Sequence, residues 1–223
     1  MNGIESSVGI LSCSTITMLG VIGLLFAEYV DKQSLRIVCK PIAVFGFLAL
    51  AILQLPFSNM YAITVCIGLF LCALGDFLLL PQGAGKFFLG GVGAFLMGHV
   101  AYSVAFLTLP LHPITTVATL IPMLFLAHRI HRWLKPDIPN PLRIPVSLYI
   151  IVITVMVVLS VGVAVENGDL AVLPLSAGLF WLSDISVARD RFQKAGFSNK
   201  LWGVPFYFGA QLLFAFSIGL VST

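Results

Sequence analysis

The feature that most constrains this chain is where its positive charges fall. All twelve lysines and arginines lie in alternate gaps between long apolar runs. Lys32, Arg36 and Lys40 sit in or beside the first gap and Lys86 in the third. Arg129, Arg132, Lys135 and Arg143 mark the fifth; Arg189, Arg191, Lys194 and Lys200 mark the seventh. Crossing a bilayer takes about 20 mostly apolar residues, and in lipid a helix satisfies its own backbone. The runs predict eight spans, at residues 8–28, 37–55, 60–80, 87–109, 113–130, 144–165, 170–188 and 201–221. Turn signals separate them: Gln54-Leu55-Pro56, Pro81-Gln82-Gly83, Pro110-Leu111-His112-Pro113, Pro139-Asn140-Pro141 and Glu166-Asn167-Gly168-Asp169. Eight crossings put every basic gap on one side. The positive-inside rule makes that side cytoplasmic and leaves both termini outside. One helix more or fewer would scatter the charges over both faces.

With 9% charged and 59% apolar residues in 223, there is no length left for a soluble domain. The expectation is an all-α polytopic membrane bundle, residues 1–223 forming a single transmembrane domain. The start, Met1-Asn2-Gly3-Ile4-Glu5, lacks the basic region of a cleavable signal, so the first span is read as a permanent helix. Cys13, Cys39, Cys66 and Cys72 form no CxxC and read as small core residues.

Inside the third run stands Leu74-Gly75-Asp76, and inside the seventh Leu182-Ser183-Asp184. A carboxylate in hydrocarbon is costly and marks function by default. Each lies about four residues from the basic end of its span, roughly 6 Å below the interface. A lone aspartate has a structural reading as a helix cap or a neighbour's hydrogen-bond partner; two at matched depth favour chemistry. His99 and Tyr102 share a face of span 4, as do Tyr207 and Gln211 of span 8. Six polar groups on four helices point to one cavity, a reading that requires both aspartates to face it. Taken singly, His99 reads as a core residue, and Tyr207 and Gln211 as interhelical contacts.

A faint internal repeat runs through these positions. Leu35-Arg36-Ile37 opens span 2 and Leu142-Arg143-Ile144 opens span 6. The aspartate follows each arginine by 40 or 41 residues, and His99 and Tyr207 each follow their aspartate by 23. Halves of four spans would be parallel repeats about an axis along the membrane normal. Other signals are structural. Gly90, Ala94 and Gly98 form a small-residue face on span 4. His128 and His131 share a face without further zinc ligands. Trp133, Trp181 and Trp202 suit an aromatic belt. Lys40-Pro41 reads as a helix start, the lysine as a snorkelling anchor or a phosphate contact.

In these residues the chain resembles the lysoplasmalogenase (YhhN-like) family of membrane hydrolases. The matching pieces are Lys40-Pro41, Gly75-Asp76, Gly90 through His99 to Tyr102, Ser183-Asp184 with Arg191-Phe192, and Tyr207 with Gln211. They cover nearly the whole chain in order; Arg189-Asp190-Arg191 is more charged than the pattern leads one to expect. The resemblance implies cleavage of the vinyl ether of lysoplasmalogens to a fatty aldehyde and glycerophosphocholine or glycerophosphoethanolamine. That chemistry suits the residues. A vinyl ether opens by protonation of its β-carbon, which needs an acid and a negative group near the resulting oxocarbenium ion, as in glycosidases. Asp76, Asp184, His99 and Tyr102 are the catalytic candidates, with Asp76 preferred as proton donor. Tyr207, Gln211, Lys40, Arg36, Arg143 and Arg189 are the substrate-binding candidates, the four cations for the phosphate. The expected partners are a lysophospholipid and the bilayer; no nucleic acid, metal or cofactor is expected. A bacterial inner membrane is the expected location, with the site toward the cytoplasmic leaflet. Two rivals are an intramembrane aspartyl protease, for which Ala73 breaks the GxGD pattern, and a proton-coupled lipid or solute transporter.

Overall fold

The computed structural model describes residues 3–54, 59–81 and 85–221, with side chains from residue 7 onward. The turns expected at Leu55-Pro56 and Gln82-Gly83, and the Glu5 side chain, lie outside the described residues. Eight long helices account for nearly all of it: α1 Gly3–Tyr29, α2 Gln33–Leu53, α3 Met60–Leu78, α4 Lys86–Leu107, α5 Pro113–Leu134, α6 Arg143–Glu166, α7 Val172–Phe192 and α8 Phe197–Val221. All eight are long and apolar enough to cross a membrane, and there is no strand among the described residues. The helices coincide with the eight expected spans. Several ends run further, by up to five residues at the start of α1, where the helical ladder continues past the apolar stretch; α2, α3 and α4 stop two residues short of the expected ends and α7 starts two residues late.

The chain's own chemistry sets several of these ends. Asn59 caps α3 by accepting the Ala62 N–H at 3.3 Å, and His112 does the same for Thr115 ahead of Pro113. Between α1 and α2, Asp31 turns the chain at φ 52°, where its carboxylate accepts Arg36 Nη2 at 2.7 Å. One expectation is corrected here. Pro41 does not start α2 but lies inside it, because the helix already begins at Gln33. Pro122 and Pro205 are likewise interior, tolerated because neighbouring groups can meet the carbonyls that prolines free.

Sequential helices pair tightly: α1 with α2, α3 with α4, and α7 with α8. Close approach of α3 and α4 rests on missing side chains. A methyl group at Gly98 would stand 2.6 Å from Cys72 Sγ, and one at Gly75 2.7 Å from the Phe95 ring. The small-residue face of α4 is thus a packing face against α3. α8 is central, packed on α1, α2, α3 and α7, whereas α6 joins α4, α5 and α7. α5 is peripheral, with only Ala127 and Leu134 buried. Cys13, Cys66 and Cys72 are buried and Cys39 half-buried, all as free thiols.

Candidate active site

A cavity of about 420 Å³ opens at the end of the bundle where the basic residues collect. Asp76 from α3 and Asp184 from α7 both line it. Most of the remaining wall is apolar, including Phe95 and Phe180. Each carboxylate sits in its own set of partners, drawn from three helices.

Asp76 is 2% exposed. Its Oδ1 meets Lys40 Nζ of α2 at 2.9 Å, and its Oδ2 accepts the Tyr207 hydroxyl of α8 at 2.5 Å. Lys40 also donates to the Asp76 backbone carbonyl at 3.2 Å. Both oxygens of this group are therefore acceptors. Lys40 lies two turns inside α2, half-buried on the cavity wall, and the carboxylate supplies the counter-charge that the bilayer cannot. It lines the cavity in an ion pair with Asp76 and is not a snorkelling anchor, which corrects that part of the expectation.

Asp184 is built differently. Its Oδ1 accepts the Tyr149 hydroxyl of α6 at 3.1 Å, and its Oδ2 faces His99 Nε2 of α4 at 3.4 Å. The other imidazole nitrogen, Nδ1, lies 2.7 Å from the Phe95 carbonyl. A carbonyl can only accept, so Nδ1 carries a hydrogen. In the neutral tautomer Nε2 is bare; it and Asp184 Oδ2 face each other without a hydrogen bond, and both are buried with no other hydrogen-bond partner among the described residues. His99 is fully buried and stands behind Asp184 rather than on the cavity wall. The Phe180 ring touches both sets, with its centroid 4.3 Å from His99 and 5.4 Å from Tyr207.

The two sets correspond element by element. Each aspartate takes one partner from the second helix of its own half and one from the fourth helix of the other half. Tyr149, which sequence reasoning missed, precedes Asp184 by 35 residues; Lys40 precedes Asp76 by 36. Carrying the repeat one step further would have found it.

The remaining candidates separate. Tyr102 and Gln211 are buried behind the site, paired to each other at 2.7 Å, with Tyr102 stacked on Phe214; neither lines the cavity. Of the two face-sharing pairs expected to meet in the cavity, only Tyr207 lines it. Arg36 lines the cavity but is held by Glu28 at 3.2 Å and Asp31 at 2.7 Å. Arg143 belongs to a separate shallow hollow with His131 and Lys135, and Arg189 is exposed on the outer face of α7, off the cavity wall. Arg191 and Lys200 line the mouth in their place. Trp181 lines the cavity instead of joining a surface belt. Among the described residues no three of His, Cys, Asp and Glu converge on a point that would hold a metal ion.

Fold and site define a class: a polytopic helical membrane protein whose paired carboxylates share an apolar-walled cavity just inside its basic end. The chain belongs to the YhhN family, the family of lysoplasmalogenases, whose model matches residues 35–218. The matched region contains all six residues of the two aspartate sets and leaves α1 wholly outside. Comparison with curated proteins and with solved structures found no match.

Proposed function

We propose that this chain is a membrane hydrolase that cleaves the vinyl ether bond of lysoplasmalogens, releasing a fatty aldehyde and a glycerophospho-base. The observation that carries the reading is the pair of unlike carboxylates on one cavity: an Asp76 whose two oxygens accept from Lys40 and Tyr207, and an Asp184 with an unpartnered Oδ2 that can hold a proton. Family membership supports a hydrolase of this kind.

Asp184 takes the donor role in preference to Asp76, whose two oxygens already accept from Lys40 and Tyr207. The Asp184 proton passes to the β-carbon of the alkenyl ether, leaving an oxocarbenium ion. Asp76 stabilises that cation and accepts a proton from the water that attacks it. The resulting hemiacetal collapses to aldehyde and the free glycerol hydroxyl, and the proton that Asp76 took from the attacking water returns through cavity water to Asp184, resetting both groups. The apolar wall houses the alkenyl chain, and the phosphate rests at the basic mouth. By the positive-inside rule this mouth faces the cytoplasmic leaflet, in a bacterial inner membrane.

The decisive assay is aldehyde release by purified protein from a lysoplasmalogen, with the saturated ether lipid as control. Asp184→Asn and Asp76→Asn are each expected to lower turnover by about 10²–10⁴-fold, the usual worth of a positioned acid or base. More than a tenth of native activity in both variants would remove the assignment.

A further inference from the structure

Four cations line the cavity: Arg36, Lys40, Arg191 and Lys200. Three of them are already committed. Arg36 pairs with Glu28 and Asp31, Lys40 with Asp76, and Lys200 with Asp190 at 2.8 Å. Among the described residues no carboxylate lies within ion-pair distance of Arg191. Its guanidinium instead rests over the Phe88 ring, 4.1 Å from the centroid, linking the end of α7 to the start of α4 across the mouth. The carboxylates are committed in the same way. Glu28 and Asp190, which also line the cavity, face Arg36 and Lys200; Asp190 additionally accepts from Gly196 N and Asn199.

From this division of charge, and resting on the lysolipid reading above, we infer that Arg191 is the phosphate anchor of the site and that the lipid is chosen by its phosphate, not by its base. A guanidinium presents paired N–H donors that match two phosphate oxygens, a stronger contact than its stacking on an aromatic face. An incoming phosphate therefore draws Arg191 off Phe88. At the mouth, where Glu28 and Asp190 are both paired, the ammonium of a choline or ethanolamine head group meets no uncommitted anion. The enzyme is accordingly indifferent to which base the phosphate carries.

The test separates binding from turnover. Trp181 lines the cavity, so a Trp133→Phe, Trp202→Phe background leaves one fluorophore at the site. In nanodiscs, brominated-chain ester lipids quench it without being substrates for vinyl ether cleavage. Lysophosphatidylcholine and lysophosphatidylethanolamine are expected to bind alike, each about tenfold tighter than the monoacylglycerol of the same chain. Arg191→Gln brings all three to the monoacylglycerol level, Arg191→Lys retains part of the preference, and Arg189→Gln, altered outside the cavity, retains all of it. A phosphate preference that survives both Arg191 substitutions overturns the anchor, as does a tenfold preference between the two bases. Arg191-dependent binding without aldehyde release would leave the anchor standing and remove the hydrolase reading. Aldehyde release indifferent to Arg191 would do the reverse.

Discussion

Lys40 and Asp76 show what a buried charge demands of its neighbours. Removing one member of such a pair leaves the other uncompensated, a loss of about 3–5 kcal/mol, whereas removing both is close to neutral. Lys40→Met is therefore expected to lower the melting temperature sharply, and Lys40→Met with Asp76→Asn to restore most of it. The double variant stays inactive in the aldehyde assay. A double variant as unstable as the single one would mean the pair is not the seat of the loss. Tyr207→Phe removes one hydrogen bond to a charged acceptor, a contact worth about 1.5–3 kcal/mol. Its effect is read as lowered turnover with the fold retained. The aspartates, His99 and Tyr207 were legible because polar atoms in apolar runs are conspicuous. Tyr149 was not, since a tyrosine in α6 looks like any membrane aromatic until its depth is compared with that of Lys40. That Arg143 and Arg189 lie off the cavity wall was not legible for a different reason: loop sequence records which side a charge is on, but not which way it turns.

At the scale of the element, the helices were readable nearly in full, because lipid allows a chain few alternatives. The start of α2 was not. A proline beside a lysine imitates a helix start, and only the ladder running back to Gln33 shows otherwise. Packing between α3 and α4 depends on absent atoms, and that predicts a paired outcome. Gly98→Ala pushes a methyl group against Cys72 Sγ, 2.6 Å away, at an expected cost of about 1–3 kcal/mol for overpacking. Adding Cys72→Ala vacates that volume and recovers stability in a thermal melt. If the second substitution only adds to the first loss, the contact is not what limits the approach of these helices.

For the molecule as a whole, the alternation of charged and uncharged gaps makes a directional prediction. A cysteine placed at Lys194, in the exposed turn between α7 and α8, is expected to react with an impermeant thiol reagent only from the cytoplasmic side. A cysteine-free background, with Cys13, Cys39, Cys66 and Cys72 replaced by alanine or serine, isolates the signal. Labelling from outside intact cells would invert the topology and move the cavity mouth to the other leaflet. A second consequence concerns the crossed pairing at the two aspartates. Asp76 takes a hydroxyl from α8, and Asp184 faces an imidazole from α4, so neither run of four helices carries a finished centre. Cleave the gene between Leu109 and Pro110, and each fragment alone should be inert. Co-expressed, the two should regain activity only as far as they find one another in the membrane, which would make aldehyde output a gauge of fragment reassembly.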